Sequence, residues 1–255
     1  MVTYAVHIEQ PSVKVVDLTF AYNSEYILTD ENLELWGPGL ITLLGPNGAG
    51  KTTFFKLLLG ILKPFRGRVY LNGEDVTGNP LKAGVHASLI PQLASVRKDL
   101  PVTGYEFVEL ALRGRGVRKL ERKEKVEEAL SLVRATDFAE KRISSMSGGQ
   151  LQRILIARAI AAGTPILVMD EPFSGIDPRG REDISKIIEE LGASKLVILS
   201  THDPVFTLNR SKLVVVFNKG VKGVGAPEEV YKLDLLRAAY GPGMLLIEKC
   251  LHVLS

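Results

Sequence analysis

The feature that most constrains this chain is an eight-residue stretch in the pattern G-x-x-x-x-G-K-T, with the sequence Gly45-Pro46-Asn47-Gly48-Ala49-Gly50-Lys51-Thr52. An apolar run at residues 40–44 precedes it, and apolar residues with helical spacing follow it, at Phe54, Leu57, Leu58 and Ile61. This strand–loop–helix context is typical of a phosphate-binding P-loop, because glycines let backbone N–H groups point into one hollow and the helix N-terminus adds positive potential. We therefore expect Lys51 to reach nucleotide phosphates and the Thr52 hydroxyl to coordinate Mg²⁺.

The composition is that of an ordinary globular protein, since 45% of the 255 residues are hydrophobic and 24% are charged. A net charge of +3 is too small to favour nucleic acid as a partner. The single cysteine, Cys250, excludes an intramolecular disulfide and suits a reducing compartment. The N-terminus lacks the basic and apolar regions of a signal peptide, and no apolar run reaches the roughly 18–20 residues of a membrane helix. We expect a chain that is soluble by itself and reaches a membrane through a partner.

Strand and helix patterns alternate along most of the chain. Apolar or β-branched runs predict strands at residues 13–22, 27–36, 40–44, 68–71, 87–90, 166–169, 195–199 and 213–217, and Asn72-Gly73 predicts a hairpin turn. From about residue 93 to 145 the composition becomes rich in Lys, Arg and Glu. There Thr103 and Glu106 fit a capping box, and residues 121–135 have helical spacing. This stretch is predicted to be a helical insertion in an α/β core.

Four further motifs stand in order behind the P-loop: Ile90-Pro91-Gln92, Met146-Ser147-Gly148-Gly149-Gln150, the apolar strand that ends in Asp170-Glu171, and His202 after a second apolar strand. Together with the P-loop they resemble the ATP-binding subunit of ABC transporters, over roughly residues 12–232. The Ser-Gly-Gly-Gln signature is the specific part, because a P-loop alone occurs in many nucleotide-hydrolysing families.

The resemblance implies a fold and a domain organisation. The fold would be α/β, a P-loop NTPase (RecA-like) core with an antiparallel β-subdomain and an inserted α-helical subdomain. A single ABC ATPase domain would cover residues 1–255. Its core would comprise residues 1–92 and 163–232, its helical subdomain about 93–162, and its C-terminal tail 233–255.

The resemblance also implies roles for individual residues. ATP would be held by Tyr22, Gly45, Pro46, Asn47, Gly48, Ala49, Gly50, Lys51, Thr52 and Thr53. Tyr22 would stack on adenine, with Tyr26 as the competing aromatic. Mg²⁺ would be bound by Thr52 and Gln92, and by Asp170 through water. Glu171 would be the general base, His202 would contact the γ-phosphate, and Gln92 would relay the state of the site to the helical insertion.

The signature has a different implied role. Ser147, Gly148, Gly149 and Gln150 would bind, in trans, the ATP held by another subunit, and Asp177 lies in the loop that crosses to that subunit. One chain has one P-loop and one signature, so two complete sites need a second copy or a paralogue. The expected assembly is an ATP-dependent head-to-tail homodimer.

The kind of transporter is the least constrained point. Residues 99–103 and 171–177, including Phe173, resemble segments of zinc and manganese importer ATPases. The sequence contains no metal-ligand cluster, so a transported metal would be selected by an extracytoplasmic substrate-binding protein and transmembrane permease subunits. The chain itself would be peripheral, at the cytoplasmic face of the cell membrane. The alternatives are an exporter ATPase, an importer ATPase for another substrate, an ABC ATPase of repair or translation, and a regulator that does not hydrolyse ATP.

Overall fold

The computed structural model describes residues 10–203, 209–230, 233–240, 244–247 and 250–253. The strands are β1 (Ser12–Tyr22), β2 (Glu25–Trp36), β3 (Gly39–Leu44), β4 (Arg66–Leu71), β5 (Glu74–Asp75), β6 (Ala87–Ile90), β7 (Ile166–Asp170), β8 (Leu196–Thr201), β9 (Leu213–Phe217), β10 (Val221–Gly225), β11 (Met244–Ile247) and β12 (Cys250–Val253). The α-helices are α1 (Lys51–Leu58), α2 (Pro80–His86), α3 (Gly104–Arg113), α4 (Lys119–Leu132), α5 (Gly148–Ala161), α6 (Pro178–Gly192), α7 (Pro227–Val230) and α8 (Leu233–Tyr240).

A six-stranded sheet in the order β10-β9-β3-β8-β7-β6 forms the centre of the molecule. All neighbouring pairs from β9 to β6 are parallel, and β10 pairs antiparallel with β9. Every residue of β7 and β8 is buried, as expected for strands covered on both faces. The parallel strands bring their carboxyl ends to one edge of the sheet, which is where ligands bind in such folds.

A second sheet, antiparallel and in the order β2-β1-β4-β5, covers one side of the central sheet. Leu71 and Glu74 pair across its β4–β5 hairpin, and Asn72 and Gly73 both have positive φ, +50° and +79°. A two-residue turn of type I′ requires these values, so the Asn72-Gly73 hairpin prediction is confirmed.

The two faces of the central sheet enter two separate apolar cores. Ile166 and Val168 pack in the core that contains α1 and the antiparallel sheet, whereas Leu167 and Met169 pack in the core shared with the helices α3 to α6. The alternation follows from the period of two along a strand. The central sheet is therefore held between a β-rich layer and a helical layer, and the predicted fold class is confirmed.

The stretch predicted as the helical subdomain, about residues 93–162, contains α3, α4 and α5. The capping box before α3 is confirmed: Thr103 Oγ1 accepts from the Glu106 N–H at 3.1 Å, and Glu106 Oε2 accepts from the Thr103 N–H at 2.8 Å. Helix α5 packs against α3 and α4 and also against β6 and α6. Its Arg158 lies over the Phe107 ring at 4.8 Å, and burial lowers the pKa of this guanidinium. Helix α5 therefore contacts both the predicted helical subdomain and the predicted core. The division of the chain into these two parts stays a prediction.

Some helix predictions were wrong in detail. Ile61 is not on α1, because the helix ends before Gly60, whose φ of +63° is the left-handed conformation that terminates helices. Helix α4 occupies residues 119–132 rather than 121–135. Helix α2 was not predicted, although Asn79 caps it by accepting from the Lys82 N–H at 3.1 Å.

The C-terminal tail begins with α8, whose Leu236 and Ala239 pack with Val214 and Val216 of β9. The strands β11 and β12 then pair antiparallel with each other. The sequence predicts a short helix that begins at Pro227 and contains Tyr231. Helix α7 confirms its start, and Tyr231 lies outside the described residues.

Candidate nucleotide-binding site

The P-loop connects β3 to α1 at the carboxyl edge of the central sheet. Gly45 donates its N–H to the Thr201 carbonyl at 3.1 Å, and a Cβ at this position would lie 2.0 Å from the Phe217 carbonyl oxygen. Gly48 and Gly50 have φ values of +78° and +92°, which residues with side chains rarely adopt. The spacing of glycines in the motif thus follows from close backbone approach and from the sharp reversal of the loop.

Lys51 is the first residue of α1, and only 6% of it is exposed. Its ammonium donates to the carbonyls of Gly45 at 2.6 Å and Pro46 at 3.0 Å, and it lies 3.2 Å from Glu171 Oε1. The charge is therefore held under the loop by two carbonyl dipoles and a carboxylate.

Asp170 ends β7, directly beside the P-loop helix. Its Oδ2 accepts from the Thr52 hydroxyl at 2.7 Å, and its Oδ1 accepts from the Ser200 hydroxyl at 2.6 Å. These bonds connect α1, β7 and β8, and they bring together the two residues predicted from separate motifs to hold Mg²⁺.

Glu171 follows Asp170 and has a φ of +46°, which is uncommon for a residue with a side chain. Its N–H donates to Ser200 Oγ at 3.0 Å. Its buried carboxylate contacts Lys51 through Oε1 and His202 Nδ1 through Oε2, the latter at 2.9 Å. The predicted base and the histidine predicted to contact the γ-phosphate are therefore in direct contact, and the imidazole side chain is 49% exposed.

A cavity of about 280 Å³ lies over the P-loop. It is lined by Ile27, Gln92 and Glu171 together with Asn47, Gly48, Ala49, Gly50, Lys51, Thr52 and Thr53. Gln92 stands just beyond β6, immediately before a short 3₁₀ helix. Three of the four motifs predicted behind the P-loop, those with Gln92, Asp170-Glu171 and His202, therefore meet at this edge. Ile27 was not predicted as a site residue, although its Cγ2 would lie 2.6 Å from a Cβ at Gly50. Its place in the predicted strand directly after Tyr26 was the available signal.

Tyr22 and Tyr26, the two candidates for stacking on adenine, pair with neighbouring residues at the β1–β2 hairpin. Tyr22 is 45% exposed and meets the Phe20 ring edge-to-face at 4.9 Å, and Tyr26 is 62% exposed. Neither is among the residues that line the P-loop cavity.

The signature lies apart from this cavity, at the start of α5. Ser147 Oγ accepts from the Gln150 N–H at 3.3 Å, and Gln150 Oε1 accepts from the Ser147 N–H at 3.2 Å. Gly148 packs closely against the loop before α6, because a Cβ on it would lie 2.7 Å from the Gly175 carbonyl oxygen. None of these residues lines the P-loop cavity among those the structure describes.

The loop between β7 and α6 connects the two regions. A second cavity, of about 160 Å³, is lined by Glu171 and His202 and by Phe173, Ser174, Gly175, Arg181, Thr201 and Asp203. Asp177 caps α6 by accepting from the Gly180 N–H at 3.0 Å and is exposed.

Within the described ranges, no helix has the length and apolar character needed to cross a bilayer.

Comparison with known proteins identifies the family. Residues 28–174 match the family model "ABC transporter". The chain is 34% identical over 231 residues to the spermidine/putrescine import ATP-binding protein PotA of Legionella pneumophila, an alignment that covers 87% of this chain and 61% of that protein. It thus spans less than two thirds of this relative's length.

Other relatives are matched over nearly their whole length. The manganese transport system ATP-binding protein MntB of Bacillus subtilis is 32% identical, with 90% of this chain and 92% of that protein covered. The lipopolysaccharide export system ATP-binding protein LptB of Haemophilus influenzae is 31% identical, with 88% and 94% covered.

Solved structures agree with the fold. The chain matches cbiO1 of Clostridium perfringens, part of the ABC transporter complex cbiONQ, with a TM-score of 0.78, 25% identity, and 89% and 92% of the two chains covered. It matches the dimeric, post-hydrolysis ATP-binding cassette MJ0796, bound to ADP and Pi, with a TM-score of 0.74, 25% identity, and 84% and 98% covered. The chain belongs to the ABC transporter family and carries its ATP-binding domain, the ATPase domain of that family.

Proposed function

We propose that this chain is the ATP-binding and ATP-hydrolysing subunit of an ABC transporter and powers the movement of a substrate across the membrane. The observation that carries the proposal is the position of Glu171 at the P-loop cavity, 3.2 Å from Lys51 and 2.9 Å from His202. A buried carboxylate between a P-loop lysine and a histidine suits a general base beside a phosphate site.

ATP binds with its phosphates over the P-loop and its base towards the β1–β2 hairpin. Lys51 moves from Glu171 to the β- and γ-phosphates, which frees Glu171 Oε1 to accept a proton from water. The water attacks the γ-phosphorus, the bond to ADP breaks, and His202 holds Glu171 and the γ-phosphate in register. Such a positioned base contributes about 10²–10⁴-fold to the rate.

The residues at this edge fit Mg²⁺. Thr52, Asp170 and Gln92 offer a hydroxyl, a carboxylate and an amide oxygen, which are the donors that this hard cation prefers. When bound, Mg²⁺ neutralises charge on the phosphate oxygens.

A second copy of the chain completes the site. Ser147, Gly148, Gly149 and Gln150 stand at the N-terminus of α5, outside the chain's own P-loop cavity. Helix N-termini attract phosphate. We infer a head-to-tail homodimer in which each signature meets the ATP bound to the partner and Asp177 lies near the boundary.

The remaining partners are transmembrane permease subunits and, for an importer, an extracytoplasmic substrate-binding protein, with this chain peripheral at the cytoplasmic face of the membrane. The proposed cargo is a divalent metal ion such as zinc or manganese. Residues 99–103 and 171–177 and the manganese relative, matched over 92% of its length, support it. The alternative is another imported substrate or an exported one. Export is retained as an alternative because the lipopolysaccharide-export relative is matched over 94% of its length.

Phosphate release from Mg-ATP by the purified chain tests the ATPase. Lys51→Ala should lower kcat/KM by about 10²–10³-fold, because a charge that stabilises the transition state is removed. Lys56→Ala, which removes an exposed lysine from the same helix, is the matched control and should keep wild-type activity. Equal activity of Lys51→Ala and wild type would overturn the proposal.

Cellular metal content tests the cargo. Loss of this chain should lower cell-associated zinc or manganese, measured by mass spectrometry, and leave polyamines unchanged. The reverse pattern would reassign the substrate.

A further inference from the structure

A fully buried serine, Ser200, connects the two acidic residues of the site. It lies on β8 directly opposite Asp170 of β7, with 0% of its surface exposed. Its hydroxyl donates to Asp170 Oδ1 at 2.6 Å and accepts from the Glu171 N–H at 3.0 Å. One O–H group therefore serves both residues at once, as donor to the first and acceptor for the second.

The first bond fixes the plane of the Asp170 carboxylate. One oxygen accepts from Ser200, which follows β7 in the sequence, and the other accepts from Thr52, which precedes it. If the Thr52 hydroxyl turns to a bound cation, the Ser200 bond still holds Oδ1. Asp170 Oδ2 would then stay on the side of Thr52, where it could help to hold the cation.

The second bond fixes the backbone of Glu171. This residue has a backbone φ of +46°, which residues other than glycine rarely adopt. Its N–H bond to Ser200 helps to hold that conformation, and the conformation directs the carboxylate towards Lys51 and His202.

We infer that Ser200 is a positioning residue that sets the orientation of Asp170 towards Mg²⁺ and of Glu171 towards the attacking water. The inference rests on the proposed function. The neighbouring residues also reach the site: the Thr201 carbonyl at the end of β8 accepts from Gly45 of the P-loop, and His202, just after the strand, contacts Glu171.

The test compares Ser200→Ala with a control of equal burial. Thr42 of β3 is also fully buried, and its hydroxyl bonds to Ser211 rather than to any residue of the P-loop cavity. Thr42→Val removes that hydroxyl while keeping the side-chain shape. Both variants remove one buried hydroxyl group, so a general loss of packing or stability affects both.

Three quantities are measured for each variant: melting temperature, binding of a fluorescent ATP analogue in EDTA, and the Mg²⁺ dependence of binding and hydrolysis. For Ser200→Ala we expect kcat to fall and the Mg²⁺ concentration for half-maximal effect to rise, each by about tenfold, since outer-shell partners of a metal site typically cost 10–100-fold. In EDTA no metal is bound, so the loss of an outer-shell partner should not matter there. Nucleotide binding in EDTA should therefore change by less than about twofold, because the P-loop that binds the phosphates is intact. Ser200→Thr, which keeps the hydroxyl, should recover the Mg²⁺ dependence.

An unchanged Mg²⁺ dependence and kcat in Ser200→Ala would overturn the inference. So would equal changes in Ser200→Ala and Thr42→Val, because the hydroxyl would then have a purely structural role. Failure of the proposed function gives a different result: wild type would release no phosphate, while the Mg²⁺ dependence of nucleotide binding would still distinguish Ser200→Ala from the control.

Discussion

At the phosphate end of the candidate site, Lys51 is 6% exposed and Asp170 bonds to residues of two other elements. At the signature end, Ser147 is exposed and pairs with Gln150, three residues further along the same helix. The first region depends on contacts between distant parts of the chain, and the second on a local cap. This difference shows that the phosphate end is assembled from several elements of the chain, whereas the signature end is a locally formed helix N-terminus, which suits the contact with a second copy proposed above.

The largest expected effect is at Glu171. Glu171→Gln keeps the side-chain shape but removes the base, so kcat should fall by about 10²–10⁴-fold. ATP should then remain bound and hold two copies together. Light scattering after gel filtration should give a mass that doubles with Mg-ATP and stays single without nucleotide. A variant that binds ATP and remains monomeric would contradict the homodimer and point to a paralogue or to the membrane subunits.

The next prediction concerns Gly149, where the signature can be altered without a steric clash. A Cβ there meets its nearest neighbour at 3.8 Å, whereas at Gly148 it would lie 2.7 Å from the Gly175 carbonyl. Gly149→Asp adds a carboxylate to the start of α5, which favours the helix by about 0.3–1 kcal/mol but repels phosphate. We expect an unchanged or higher melting temperature together with a roughly hundredfold loss of hydrolysis, because like charges at an interface cost several kcal/mol.

The same variant allows a matched control and a test of whether the signature of one copy acts at the P-loop of another. Gly84→Asp adds the same charge at a glycine of α2 with no atom near its Cβ, and it should hydrolyse ATP normally. Lys51→Ala and Gly149→Asp should each retain at most about a hundredth of wild-type activity, but their heterodimer would combine one intact P-loop with one intact signature. Random pairing in an equal mixture should recover about a quarter of wild-type activity if sites act independently. A mixture without recovery would contradict sharing of the signature between copies.

Tyr22→Ala should have a smaller effect, confined to nucleotide binding. Loss of a stacking aromatic costs about 1–3 kcal/mol, so KM for ATP should rise roughly tenfold with little change in kcat. Tyr26→Ala, at the other side of the hairpin, is the matched comparison. A rise in KM restricted to Tyr26→Ala would move the adenine contact to that residue.

Local patterns made much of this site predictable from the sequence. The P-loop, the cap at Ser147 and the strand end at Asp170 are all defined by residues within a few positions of one another. The P-loop helix was predicted too long because apolar spacing up to Ile61 was given more weight than Gly60, which ends the helix.

Contacts between distant residues were not predictable in the same way. Ser200 is one serine in an apolar strand, and its partner Asp170 is 30 residues away; the β7–β8 register places them opposite each other. Ile27 likewise reaches Gly50 through the packing of β2 over the P-loop. The antiparallel layer and β8 therefore contribute contacts to the site that no motif marks.

The smallest expected effect concerns the C-terminal tail. Helix α8 places the Tyr240 hydroxyl 3.2 Å from the His202 carbonyl, to which it donates, so the tail touches the backbone of His202. Tyr240→Phe removes a net contribution of about 0.5–1.5 kcal/mol, and we expect kcat to fall about two- to threefold with KM for ATP unchanged. Tyr70→Phe, on the antiparallel sheet, controls for loss of a tyrosine hydroxyl. Wild-type kcat in Tyr240→Phe would show that the tail packs on β9 without influencing His202, so that the phosphate end would depend on the central sheet, the P-loop and the antiparallel layer but not on the tail.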